Sequence, residues 1–237
     1  MLQTASYTDI GSRACNEDRV QRRICGECGC FILADGLGGH GGGDRASEVV
    51  CGTVCEGFDG RVDPAELTRL LQLAHERIVR MQTPQCAMKS TAVALTVGNG
   101  RAAWAHVGDS RLYHFLNGKI VFQTMDHSAS RIAVMLGDIT PDQIRFHEDR
   151  NRVLRALGQD GALNVEAKEE SLSPGRHAYL LCSDGFWEYV LEEEMEADLA
   201  VAHDPEDWLN RMRGRLASRV GADHDNHTAA AVWLTQQ

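Results

Sequence analysis

Leu33-Ala34-Asp35-Gly36-Leu37-Gly38-Gly39-His40-Gly41-Gly42-Gly43 is the stretch around which the rest of the chain can be read. The apolar run Phe31-Ile32-Leu33-Ala34 enters it as a buried strand. A single carboxylate, Asp35, stands where that strand stops. Six of the eight residues that follow are glycine. Without a Cβ, and with positive φ accessible, such a backbone can fold closely around a small bound species. A carboxylate at a strand end beside exposed carbonyls suits a hard divalent cation. Taken alone, a solvated glycine loop explains the stretch equally well.

The same pattern recurs outward from it. Arg101 to Val107 reads as a strand running into Gly108-Asp109-Ser110-Arg111, and Ala178 to Cys182 as an apolar strand ending at Ser183-Asp184-Gly185. Asp225 precedes a final strand, Thr228 to Leu234, and Glu17 precedes a strand from Val20 to Ile24. Glu17, Asp35, Asp109, Asp184 and Asp225 therefore form a candidate oxygen-only ligand set, with no thiolate or imidazole. Such sets prefer Mg²⁺ or Mn²⁺ to zinc or copper. Two of these ions about 4 Å apart can activate a water for in-line attack on phosphorus.

Asn99-Gly100 and Asn117-Gly118-Lys119 predict hairpin turns between neighbouring strands. Arg45 to Phe58 predicts a helix. A second helix opens with Asp63 as cap, Pro64 in the first turn and Glu66 at the reciprocal capping position, and runs to about Met81. His75 beside its apolar stripe reads as structural or surface. Ala129 to Leu136 and Pro141 to Glu148 read as short polar helices, the second capped by Thr140 and Gln143. With Arg150, Arg152 and Arg155 they predict a mobile flap over about 126–157. Glu192 to Ala202 predicts an acidic helix, and Asp204-Pro205 opens a last helix with Trp208, Leu209, Met212 and Leu216 facing inward. With no repeat or linker, 1–237 reads as one domain.

The chain carries a formal net charge of -10 and 43% hydrophobic residues. That balance excludes the basic face a nucleic-acid or anionic-membrane binder needs. No apolar stretch approaches the roughly 20 residues of a membrane span, and no signal peptide is evident. Reduced thiols are the default for the eight cysteines, and a cytoplasmic monomer is the expectation. Cys25, Cys28 and Cys30 lack a fourth ligand at zinc-finger spacing and read instead as a hairpin, with Gly26-Glu27 and Gly29 in its connection. Cys51 and Cys55 read as small buried residues on a helix.

Taken in order, Asp9-Ile10-Gly11, Arg13, Asn16-Glu17-Asp18, Ala34-Asp35-Gly36-Leu37-Gly38-Gly39-His40, Ser90-Thr91-Ala92, Ala105-His106-Val107-Gly108-Asp109-Ser110-Arg111, Asp126-His127-Ser128, Arg155-Ala156-Leu157-Gly158, Leu181-Cys182-Ser183-Asp184-Gly185 and Asp225-Asn226 make the chain resemble the metal-dependent protein serine/threonine phosphatases of the PPM, or type 2C, family. The likeness runs from about residue 4 to residue 234 and is closest to compact bacterial members. It implies an α+β fold, a central β-sandwich of two antiparallel sheets flanked by antiparallel helices. It also implies two Mn²⁺ or Mg²⁺ ions, with room for a third, and hydrolysis of phosphoserine and phosphothreonine on proteins by a metal-activated water, without a phosphoenzyme. Carried over by residue, Asp35 would bridge both ions and Gly36 would add its carbonyl. Asp184 and Asp225 would hold the first ion and Glu17 the second, while Asp109 with Asp184 would hold the third. Arg13 would grip the phosphate, because its planar fork pairs with two oxygens at once. Asp18 and Asn226 would orient ligands and water.

His40 departs from the family pattern, standing four residues after Gly36. It can be read as the general acid for the leaving oxygen or as a structural residue of the loop. His106, His127, His224 and His227 read as structural. A Ser/Thr kinase is the natural opponent of such an enzyme. A catalytically silent binding module and a small-molecule phosphomonoesterase are the alternatives, the first weakened because no ligand carboxylate is missing.

Overall fold

The computed structural model describes residues 2–38 and 41–236. Ten strands form two five-stranded antiparallel sheets. β1 (Gln3–Asp9), β10 (His227–Gln236), β9 (Gly175–Cys182), β6 (Arg111–Leu116) and β7 (Lys119–Gln123) lie side by side in the first. β2 (Asp18–Cys25), β3 (Cys28–Asp35), β4 (Ala92–Gly98), β5 (Arg101–Val107) and β8 (Glu166–Ser171) form the second.

The sheets pack face to face through Phe31, Leu33, Leu95, Trp104, Leu112, Tyr179, Leu181 and Val232. Their outer faces are covered as well. Helices α1 (Gly43–Gly57) and α2 (Pro64–Met81) bury Val50, Leu67, Leu70 and Leu71 against Ile32, Ala34, Ala94 and Ala105. Helices α5 (Glu192–Val201) and α6 (Pro205–Ala217) bury Leu199, Trp208 and Met212 against Phe115, Leu180 and Trp233. Burial on both faces explains why β3 reads as a continuous apolar run rather than an alternating one. Its odd residues, Phe31 and Leu33, enter the inter-sheet core, and its even ones, Ile32 and Ala34, meet the helices.

Local chemistry sets the turns and caps. Asn99 and Asn117 take φ 52° and 51°, each followed by a glycine of positive φ, the geometry of tight hairpin turns. The Asp63 side chain accepts from Ala65 N–H at 2.9 Å and opens α2. Glu66 does not close a capping box. It lies under Arg69 and Arg61, which offer its carboxylate more than a lone N–H can. The cysteine-rich turn is tighter than the sequence implies: Cys25 pairs with Cys28 across Gly26-Glu27 alone, and Gly29 belongs to β3. All eight cysteines are free. Cys51 is buried as expected, while Cys55 is only half-buried. His75 is buried and accepts the Gly158 N–H at 3.1 Å, a structural role.

Between β7 and β8 lie α3 (Ala129–Leu136) and a 3₁₀ turn, Pro141–Phe146, which replaces the second short helix expected there. This segment exposes Met135, Leu136 and Phe146, yet ionic tethers hold it. Arg111, stacked on Trp187, clasps Asp126 at its start with two bonds of 2.8 and 2.7 Å. Arg145 pairs with Glu192 at the first residue of α5, and Arg150 reaches Glu188 at 3.1 Å. Held mainly by ion pairs, with Ile144, Val134 and Ile139 as its apolar contacts to the core, it is expected to open more readily than the sheets. Limited proteolysis is expected to cut first between Ser128 and Asn151, and Arg145→Ala to speed that cut severalfold. A first cut elsewhere, with this segment intact, would contradict the reading.

Candidate metal centre

One pole of the sandwich collects the acidic strand ends. In the first sheet Cys182 pairs with both Arg111 and Ala229, so the end of β9 and the starts of β6 and β10 coincide. In the second, Asp18 pairs with Asp35 and Ala92 with Val107, which brings together the start of β2, the end of β3 and the end of β5. Asp35, Asp109, Asp184, Asp225 and Glu17 consequently share one cleft of about 690 Å³, with Arg13, Gly36 and Asn226 also in its walls. The structure thus gathers every candidate named from the sequence except His40, which lies outside the described residues, and Asp18, which is buried behind the cleft.

Each carboxylate is held by its own local geometry. The Asp35 carbonyl accepts from Thr91 N–H at 2.8 Å and Ser90 Oγ at 2.9 Å, fixing the strand end. Asp184 begins α4 (Asp184–Trp187), a single helical turn, and accepts the Gly185 N–H at 2.6 Å. Asp18 accepts from Ser183 Oγ at 2.7 Å, and that oxygen in turn accepts the Thr228 N–H at 3.0 Å, joining the two sheets. Asn226 frames the first loop: its amide donates to the carbonyls of Ile10 and Cys15, and its oxygen accepts the Glu17 N–H. The Glu17 carboxylate accepts the Gly43 N–H at the start of α1, where the helix dipole favours a negative charge.

The glycines work mainly by letting chain segments approach. A Cβ on Gly36 would sit 2.1 Å from the Gly43 carbonyl, and one on Gly38 would sit 1.8 Å from the Glu17 carboxylate. The loop therefore seats α1 and Glu17 closely against the end of β3, in addition to leaving the cleft open.

The electrostatics of the cleft fit a cation. Burial, reinforced by neighbouring carboxylates, raises Asp35 and Asp109 well above the ordinary carboxylate range, Asp18 to about 7 and Asp184 to about 6. Both carboxylate oxygens of Asp109 are buried with no hydrogen-bond donor. Burying several carboxylates without counter-charge is costly, and hard divalent ions with oxygen preference are the group that removes the cost.

Arg13 forms a bidentate pair with Asp225, both bonds 3.0 Å, at the half-exposed rim. Lys89 and Arg152 also line the cleft. Glu188, raised to about 7 by burial and by Asp184, lies close behind. Sequence reasoning singled out none of these three for the site. Arg152 had a visible signal, the basic run of the flap segment, and Lys89 adjoins Ser90-Thr91, but Glu188 follows a single turn of helix with no pattern of its own.

A second cluster needs to be told apart from the first. Ligand atoms of His106, His127 and Glu166 all lie within 4.8 Å of one another, the only such trio among the described residues. Its hydrogen bonds describe a chain rather than a ligand set. His127 Nδ1 accepts the Gly108 N–H at 3.1 Å, so Nε2 carries the proton and faces Glu166 at 3.3 Å. The two rings stack with only 8° between their planes, so their in-plane lone pairs cannot converge on one ion. The histidines are structural, as the sequence reading has them.

Comparison with known proteins agrees with this geometry. The family model for protein phosphatase 2C matches residues 7–219. The protein phosphatase PhpP of Streptococcus pneumoniae is 26% identical over 247 residues, covering 100% of this chain and 99% of that one. The crystal structure of the Mycobacterium tuberculosis serine/threonine phosphatase PstP superposes with a TM-score of 0.85 at 30% identity, covering 99% of both chains. A structure of the PstP catalytic domain in complex with two manganese ions superposes at 0.81 with 28% identity and 99% coverage of both. The chain belongs to the protein phosphatase 2C family and is a serine/threonine protein phosphatase.

Proposed function

We propose that the cleft is a dinuclear Mn²⁺ or Mg²⁺ centre that hydrolyses phosphoserine and phosphothreonine on proteins. Asp35 with the Gly36 carbonyl, Asp184, Asp225 and Glu17 hold two ions, and Asp109 with Asp184 offers a place for a third. The orphaned, buried Asp109 carboxylate beside Asp35 and Asp184 is the observation that carries this reading. Bound there, such ions supply Lewis acidity, which acidifies a water and offsets charge on the phosphoryl oxygens. The chain's own part is to hold and orient. Arg13 exchanges Asp225 for two phosphate oxygens, a swap its half-exposed position permits. Lys89 and Arg152 add positive charge to the walls. Asp18 and Asn226 keep the first loop and the end of β9 in register with Asp35 and Glu17. His40 as donor to the leaving oxygen belongs to this proposal as well.

Residues 1–237 act as one domain, with about 126–157 as a flap whose Asn151, Arg152 and Val153 form one wall of the cleft. Its exposed Met135, Leu136 and Phe146 suit contact with a protein substrate better than with a small metabolite. Among the described residues no helix is long and apolar enough to cross a membrane. A cytoplasmic monomer opposing a Ser/Thr kinase completes the proposal.

The test is phosphate release from phosphothreonine peptides and from a panel of phosphorylated metabolites, with Mn²⁺ and with EDTA. Manganese-dependent turnover of the peptides is expected. Absence of any turnover would favour the silent binding module, and preference for a metabolite would favour the small-molecule enzyme. Arg13→Ala should raise KM about 10- to 100-fold, the worth of a charge-assisted pair, while kcat changes little. A loss confined to kcat would place Arg13 in a different role.

A further inference from the structure

Asp109 is held by its main chain. Neither of its carboxylate oxygens meets a hydrogen-bond donor, so the side chain goes where its neighbours in sequence place it. Downstream that placing is firm. The Trp187 indole donates to the Asp109 carbonyl at 2.9 Å, and Ser110 Oγ lies 2.7 Å from Thr91 Oγ1. Upstream stands Gly108 at φ 104°, a left-handed conformation that glycine reaches at little cost. A Cβ there would lie 2.6 Å from the Thr91 Cβ, so no side chain of its own can lock the position.

His127 supplies the lock. Its main-chain N–H donates to the Gly108 carbonyl at 2.9 Å, and its Nδ1 accepts the Gly108 N–H at 3.1 Å. One residue thus holds both polar groups of the glycine. The ring that does so is itself fixed. It stacks on His106 with centroids 4.7 Å apart, and its Nε2–H faces Glu166 at 3.3 Å. His106 is tied in turn, its Nε2–H donating to the Met125 carbonyl at 2.9 Å. The His127 carbonyl accepts the Leu154 N–H at 2.8 Å, beside Val153 in the cleft wall.

We propose that His127 is the positioning residue of Asp109: through Gly108 it holds that carboxylate where, with Asp184, it receives the third ion. The inference rests on the metal centre proposed above and adds the residue that sets its third site. The test is calorimetric titration of Mn²⁺ into the metal-free protein, following the binding event that Asp109→Asn removes. His127→Leu should lower that affinity about 10- to 100-fold, the usual cost of losing a group that orients a metal ligand, and leave the other events unchanged. His127→Asn, whose Oδ1 can accept the Gly108 N–H, should restore most of it. Glu166→Ala, at a half-exposed partner, should cost about twofold to fivefold. Arg145→Ala, which loosens the flap without touching Gly108, should cost nothing. Without metal, the Gly108 amide should exchange its hydrogen faster in His127→Leu than in the wild type or His127→Asn. An unchanged affinity in His127→Leu, or an equal loss in His127→Asn or Arg145→Ala, would overturn the proposal. If His127→Leu does not fold, an unchanged affinity in Glu166→Ala overturns it. A wild-type titration with no event sensitive to Asp109→Asn would instead remove the third ion itself, and this proposal with it.

Discussion

Asp35→Ala and Asp184→Ala are each expected to lower kcat/KM by on the order of 10³-fold or more while the protein stays folded. Either change removes a carboxylate from the centre of the cleft, and metal-based charge stabilisation is worth several kcal/mol. The fold should tolerate the loss, because Asp35 is held through its carbonyl by Ser90 and Thr91, and Ser183, not Asp184, ties the two sheets together. Steady-state kinetics in saturating Mn²⁺, with circular dichroism on the same samples, is the check. Full manganese-dependent activity in either variant would end the assignment.

Metal removal should make the protein lose stability as pH rises. Burial holds Asp18 near 7 and Asp184 near 6, and raises Asp35 and Asp109 well above the ordinary value. Unfolded aspartates titrate near about 3.9, so above that pH the folded state binds more protons than the unfolded one. Stability then falls with increasing pH until the folded values are passed. His106 and His127, held low by burial, act in the opposite sense, but their contribution is complete once unfolded histidine is neutral, near about pH 7. Between pH 6.5 and 8 the carboxylates therefore dominate, and the metal-free Tm should fall. Added Mn²⁺ should reverse the loss, and more so at pH 8. Asp109→Asn should raise the metal-free Tm at pH 8, because it removes a charge that has no donor. A metal-free Tm that climbs over this window would contradict the electrostatic account.

What could be read from the sequence was local. Asp63-Pro64, Asn99-Gly100 and the apolar runs into Asp35 and Asp184 each carry their geometry in adjacent residues, and the elements formed within a few positions of where they were expected. What depended on distant partners was hidden. Glu66 was misread because Arg61 and Arg69 outbid the helix end. The turn Asp184–Trp187 is too short to show a period. Arg13 as partner of Asp225 joins residues 212 positions apart. The carboxylate set itself was visible only as a repeated motif, a charge placed where a strand stops. Its convergence follows from strand pairing, which no single segment states.

The two borders of the second sheet have a consequence for how copies of the chain meet. β2 exposes Arg22 and Arg23, and β8 exposes Glu166 and Glu169, while Glu170 turns in to Tyr179 and His114. Joining two molecules through either border alone would set like charges face to face, which guards against runaway strand addition into fibrils. Only a mixed junction, β2 of one molecule with β8 of the next, escapes that repulsion. Such a junction would rest on exposed charge and dissolve as added salt shortens the screening length.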